Sequence, residues 1–340
     1  MVTNKIKLTL KRYFTAVHQP QPESGFTLPE LLMAILVGGM ITYGMLALVV
    51  NLLGTEKQET AKSQVQQEMN QALDYIAAEI QQAVFIYTED NFPDLTKLNL
   101  GDVQPVIAFW KAAPIEGSDL ADFQGGMGNP PCANHPSPDC KLVLTNLQTF
   151  NLVIYGVEKN QPGGIWQEGS ARILRYEMKQ YSDFAKLTET PEYRSPPVAP
   201  SPTPVAPSSE ATFKKWTPTG SINWSNAGKF KAVLVDGLDY EGEGVNKLPP
   251  CPNRPKLIAT DPDDYKFATL PNPTTKKFNQ SFYACARYFS TEVSQDAILF
   301  LRGNAANRAG QANSRNAAFL PSLERRVQAR TVLNRRPPSR

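Results

Sequence analysis

Glu30 is a carboxylate in a costly place. It stands at the front edge of an apolar run, residues 31–53, that reads LLMAILVGGMITYGMLALVVNLL. A lone charge in hydrocarbon is strongly disfavoured, so an acid at such a position marks a functional site by default. No other acid and no basic residue occurs between Phe26 and Glu56, so nothing nearby in the chain can pair with it. The partner its chemistry calls for is a free α-amino group. Cleavage between Gly25 and Phe26 would create one. This pattern implies processing, a membrane stage and a partner subunit.

The segment ahead of that junction fits the same logic. Residues 1–25 carry Lys5, Lys7, Lys11 and Arg12 against Glu23. A secretory signal places its apolar stretch before the cleavage site. Here residues 17–24 are polar and Pro-containing, and the apolar segment follows the junction. Cleavage would release a basic leader and leave the anchor on the mature chain. The positive-inside bias puts the leader in the cytoplasm and the bulk of the chain outside. A helix needs about 20 residues to cross the hydrocarbon, so residues 26–53 suffice for one pass and no more.

Gly25, Phe26, Thr27, Leu28, Pro29, Glu30, Leu31 and Leu32 together resemble the class III signal peptides of type IV pilins and type II secretion pseudopilins. The resemblance implies that a membrane prepilin peptidase cuts after Gly25 and N-methylates Phe26. It also implies that Glu30 neutralises the Phe26 amine of a neighbouring subunit during filament assembly. The implied partners are that peptidase, other pilins or pseudopilins and an inner-membrane assembly platform. The head would lie in the periplasm on a single-pass anchor in the inner membrane, and would become filament-associated after assembly.

Other chemistry is sparse. The chain has no G-x-S-x-G elbow, P-loop, H-E-x-x-H or C-x-x-C, and His135 is the one histidine after the leader. The chain reads as non-enzymatic, with no cofactor and no metal. A glycosidase would need two carboxylates roughly 5–9.5 Å apart in the fold, a pair that sequence alone does not identify. Cys132, Cys140, Cys251 and Cys285 are the four cysteines. An even number in an exported head suggests disulfides, with three connectivities possible. Local pairing, Cys132–Cys140 and Cys251–Cys285, is the expectation. Cys132, His135 and Cys140 match no common zinc spacing. Asp261, Asp263 and Asp264 cluster carboxylates, but the glycine and terminal glutamate of an EF-hand are missing, so a solvated turn is expected.

The formal charge of +3 sits in the leader, which holds four bases and one acid; 31 bases and 31 acids remain for the rest. That remainder is uneven. From residue 301 onward there are nine arginines (302, 308, 315, 325, 326, 330, 335, 336 and 340), no lysine and one acid, Glu324. Arginine binds carboxylate, sulfate and phosphate bidentately. Such a face could hold an acidic polysaccharide or an acidic patch on the next subunit. A solvated strand and tail balancing an acidic head is the favoured reading, and no nucleic-acid partner is expected.

These residues need elements to position them. After Gly54, the apolar residues Val65, Met69, Leu73, Ile76, Ile80 and Val84 recur every three or four positions, one stripe of an amphipathic helix. Gln66, Gln67, Asn70, Gln71, Asp74, Glu79 and Gln81 fall on its polar side. The membrane helix (26–53) should therefore continue as an amphipathic helix (54–90). Gly38, Gly39, Gly44 and Gly54 weaken it, which suits either local unwinding in a filament or close helix packing. Strands are expected at 106–110, 141–144, 150–157, 171–181, 230–235, 281–289 and 298–302, with an edge strand at 324–333. Residues 191–209 form a Pro/Ser/Ala-rich loop, read as an insertion in one head domain spanning 91–335. The predicted class is α+β: a long N-terminal helix on an antiparallel β head with long loops.

The head also resembles the large minor pilins of the W/J type. Residues 297–304, 319–322, 327–330 and 105–111 carry this likeness, and are most similar to a cyanobacterial pseudopilin of hormogonium polysaccharide secretion. It implies a role in polysaccharide export and gliding motility. The rival expectation is a membrane-anchored polysaccharide-binding protein that never enters a filament.

Overall fold

The computed structural model describes residues 25–88, 92–193, 213, 216–240, 250–252, 267–271, 281–287, 295–311 and 316–329. The leader before Gly25, residues 194–209 of the Pro-rich loop, the 261–264 acidic cluster and Arg315, Arg330, Arg335, Arg336 and Arg340 lie outside the described residues. The chain divides into two compact units, Met1–Glu56 and Lys57–Arg340. The fold is α+β.

One helix, α1 (Leu28–Gln81), supplies the apolar run and the amphipathic stripe. Its start is set locally. The Thr27 carbonyl accepts from Glu30 N at 3.0 Å and Leu31 N at 3.1 Å. Pro29 falls in the first turn, where backbone N–H groups have no intrahelical acceptor, so its missing donor is harmless. The helix ends at Gln81, short of residue 90. Gln82 N bonds back to the Glu79 carbonyl at 3.0 Å, and the β-branched and aromatic run that follows becomes β1 (Ala83–Ile86).

The head then alternates α2 (Leu95–Leu98), β2 (Gln104–Pro114), α3 (Gly117–Gly126), α4 (Cys140–Asn146), β3 (Gln148–Lys159), β4 (Ser170–Met178), β5 (Tyr181–Asp183), β6 (Thr188–Glu189), β7 (Lys229–Asp239), β8 (Ala268–Leu270), β9 (Phe282–Arg287), β10 (Asp296–Arg302) and β11 (Ser322–Gln328). A five-stranded sheet runs β1-β2-β3-β4-β7 and a four-stranded sheet runs β11-β10-β9-β8. Every pairing in both is antiparallel. The segment expected as a strand at 141–144 is instead α4. Cys140 and Val143 are its buried positions, a spacing of three that a helix puts on one side and a strand would split.

One core joins α1 to both sheets. Val65, Met69, Leu73, Ile76 and Ile80 pack on Ile107, Phe109, Val153 and Ile173 of the larger sheet and on Phe282, Ala284, Leu299 and Leu301 of the smaller. The helix passes very close to the smaller sheet at Gly303. A Cβ there would lie 2.4 Å from Met69 Sδ and 2.5 Å from Val65 Cγ1. A second core covers the far face of the larger sheet with Trp110, Leu152, Ile154 and Tyr176 beneath Tyr193, Phe213 and Trp216. Burial on both faces explains why β2 and β3 read as continuous apolar runs rather than alternating ones.

The described residues that flank the Pro-rich stretch meet. The indole Nε1 of Trp216 donates to the Tyr193 carbonyl at 3.1 Å, and β4 and β7 on either side of the segment are neighbours in one sheet. It is an insertion within the head.

Candidate functional site

Gly25, Phe26 and Glu30 lie at the N-terminal end of α1. Every side chain from 25 to 57 is exposed, including Phe26 at 78 %. Glu30 is the acid of the first helical turn. The helix N-terminus carries partial positive charge, which favours a carboxylate there. The glycines at 38, 39, 44 and 54 have open space where a Cβ would project, and helical geometry is kept through all four. Among the described residues, α1 is the one helix long and apolar enough to cross a membrane.

The head grips the other half of α1 with ion pairs. Glu79, expected on the polar side, is buried at the centre of a cluster drawn from three strands. Arg175 of β4 holds it bidentately, Nε to Oε2 at 2.8 Å and Nη2 to Oε1 at 2.7 Å. Lys111 of β2 donates at 2.5 Å and the Tyr155 hydroxyl of β3 donates to Oε2. Arg175 also reaches Glu177 at 2.7 Å, and Asn151 donates to Glu177 at 2.8 Å. Two acids and two bases make the cluster formally neutral.

Burial alone would raise the Glu79 carboxyl, but the bonds from Arg175, Lys111 and Tyr155 outweigh it and hold it down at about 2. Glu177 is opposed by burial and lowered by the charges of Arg175 and Lys111. Neither acid is poised to donate a proton at neutral pH. The cluster is suited to clamping a helix, and its carboxylates are already occupied by cations. Two further pairs extend the grip: Arg308 to Glu68 at 2.7 Å, and Arg325 to Asp74. Each joins the arginine-rich C-terminal part of the head to α1.

These contacts recast the arginine cluster. Arg302 pairs with Asp239 at 2.7 Å and Arg326 with Asp296 at 3.3 Å. All four described arginines after residue 301 thus meet an acid of the same chain. Sequence reasoning missed Glu79 and its partners. The available signal was that Lys111, Arg175 and Glu177 fall in phase, two residues apart, with the helix-facing Phe109 and Ile173.

The cysteines pair as Cys132–Cys140 and Cys251–Cys285, each with Cα atoms 5.6 Å apart. The first bridge belongs to a satellite core with Phe123, Val143 and Tyr181. His135 lies inside its loop. Its Nδ1 accepts from Ser137 N at 3.1 Å and its Nε2 lies 3.1 Å from the Ala185 carbonyl, so the ring ties the loop to the β5–β6 turn. The second bridge lines the outer core of the smaller sheet, beside Tyr283, Ile298 and Phe300.

A long helix with an apolar first half, an antiparallel β head and two disulfides make a pilin-like architecture. Comparison of the chain with protein-family models, curated proteins and solved structures finds no match.

Proposed function

We propose that the chain is a minor pilin or pseudopilin, a non-enzymatic subunit of a type IV pilus-like or type II secretion-like filament. The observation that carries this reading is Glu30: a solitary acid in the first turn of an apolar helix that runs on into a helix clamped to a β head. Prepilin peptidase removes the leader after Gly25 and methylates Phe26. The processed chain waits in the inner membrane with its head in the periplasm. Glu30 then docks with the Phe26 amine of a neighbouring subunit, and an assembly platform lifts the chain into a helical bundle.

The ion pairs at Glu68, Asp74 and Glu79 serve this mechanism, because force on α1 must reach the head without the two sliding apart. Minor status is inferred from the size of the head and its richness in loops, which would hinder dense packing along a shaft. The likeness of residues 297–304 to a polysaccharide-secretion pseudopilin supports a role in polysaccharide export and gliding. The engagement of Arg302, Arg308, Arg325 and Arg326 within the chain weighs against the anchored polysaccharide-binding alternative.

Glu30→Val tests the docking step. It makes the anchor more apolar, so membrane insertion should be kept. Cross-linking to partner pilins, compared at equal membrane levels, should fall sharply, and Glu30→Asp should be intermediate because the charge stays while its reach shortens. Undiminished cross-linking and export in Glu30→Val would contradict the mechanism.

A further inference from the structure

We propose that a dithiol oxidase installs the two bridges in chain order, with Cys132 and Cys251 taking up the mixed disulfides and Cys140 and Cys285 resolving them; this rests on the reading that the head lies outside the cytoplasm. All four cysteines are bridged, and each bridge joins cysteines that are consecutive in the sequence. Within each bridge the earlier cysteine is the more accessible. Cys285 is fully buried in β9, between Thr269 of β8 and Ile298 of β10, whereas Cys251 is half-buried and lies outside any strand. Cys140 is 1 % exposed and Cys132 7 %.

A mixed disulfide needs a second protein at the sulfur, so access decides which cysteine carries it. Cys251 offers that access and Cys285, enclosed by Tyr283, Ile298 and Phe300, does not. Chain order points the same way. A head emerging from its N-terminal side presents Cys132 and then Cys251 before the partner of each is available. In the first bridge, where exposure differs little, order alone decides.

The exchange balances. The Cys251 thiolate attacks the oxidase disulfide, forming one S–S bond and expelling one oxidase thiolate. The Cys285 thiolate then attacks Cys251 Sγ, and the second oxidase thiolate leaves. Two electrons pass from the cysteine pair to the oxidase, which takes up two protons and ends as a dithiol. Loop closure selects the native partners. Cys140 follows Cys132 by 8 residues and Cys285 follows Cys251 by 34, whereas Cys251 lies more than a hundred residues beyond Cys140. Closure probability falls as about the three-halves power of length, so Cys132 prefers Cys140 to Cys251 roughly fifty-fold, and Cys251 prefers Cys285 to Cys140 roughly sixfold. Native pairing then needs no disulfide isomerase.

The test follows the full-length chain in cells, with thiols trapped by acid and alkylation and bridges mapped on non-reduced peptides. Cys285→Ala should accumulate a covalent adduct between Cys251 and an oxidase, and Cys251→Ala should leave Cys285 a free thiol. Short-pulse labelling of the wild-type chain, which folds whatever the variants do, should catch adducts at Cys132 and Cys251 and none at Cys140 and Cys285. Cells without the isomerase should make both bridges at the wild-type level, and cells without the oxidase should not. Adducts at Cys140 or Cys285, crossed Cys132–Cys251 pairing without the isomerase, or full bridging without the oxidase each overturn this proposal alone. Protease added to spheroplasts reports the location of the head separately. A head that is protected there, with four reduced thiols, overturns the reading of its location and this proposal with it.

Discussion

At Glu79 one carboxylate of α1 meets β2, β3 and β4 at once, and its energetics can be tested by pH. Its folded pKa of about 2 lies below the ordinary 4.5. A depressed acid contributes stability that is complete above the unfolded value and is lost as pH falls toward the folded one. The window is therefore about pH 4.5 down to 2, and the contribution is roughly 3 kcal/mol. Glu79→Gln should lower stability at pH 7 by about 3 kcal/mol, because Arg175 and Lys111 then share only Glu177. It should also flatten the acid limb. Denaturant unfolding at pH 7 and pH 3 checks both; an unchanged pH slope in Glu79→Gln would refute the assignment. At this scale the cysteine pairing was legible from local spacing. The burial of Glu79 was not, because it flanks the apolar stripe, and only tertiary contact with charged strand residues decides on which side it falls.

Among elements, α1 is the one whose sequence pattern translates most directly, since Val65, Met69, Leu73, Ile76 and Ile80 are all buried as their spacing requires. Its end and α4 were less legible. A run such as Val84 to Tyr87 fits either period, and pairing with β2 decides for strand. In α4, Leu142 and Leu144 remain exposed, as does Leu147 just after it, so a run that looks like a core strand is apolar without being core. The contact of α1 with the smaller sheet is tight enough to be probed by one methyl. Gly303→Ala should cost about 1–3 kcal/mol by overpacking, and Met69→Ala should relieve part of it. Equal losses in the presence and absence of the Met69 side chain would contradict the packing. The two bridges should differ in worth. Cys251–Cys285 closes a loop of 34 residues and Cys132–Cys140 one of 8. Loop-closure entropy gives about 4 and about 2.5 kcal/mol respectively. Unfolding of the two paired Cys→Ala variants should rank in that order.

For the whole molecule, the α+β class and the place of residues 191–209 within the head follow from pattern: strands lie on both sides of that stretch, and β7 beyond it pairs with β4 before it. The organisation into two sheets sharing α1 does not follow, because alternate burial on two faces leaves β2 and β3 without a readable period. The functional account turns on one covalent event, the cut that frees the Phe26 amine. Intact-mass analysis of chain extracted from membranes of cells with active prepilin peptidase tests it directly. The account predicts a species that begins at N-methylated Phe26. A chain that still begins near Met1 in those cells would contradict it.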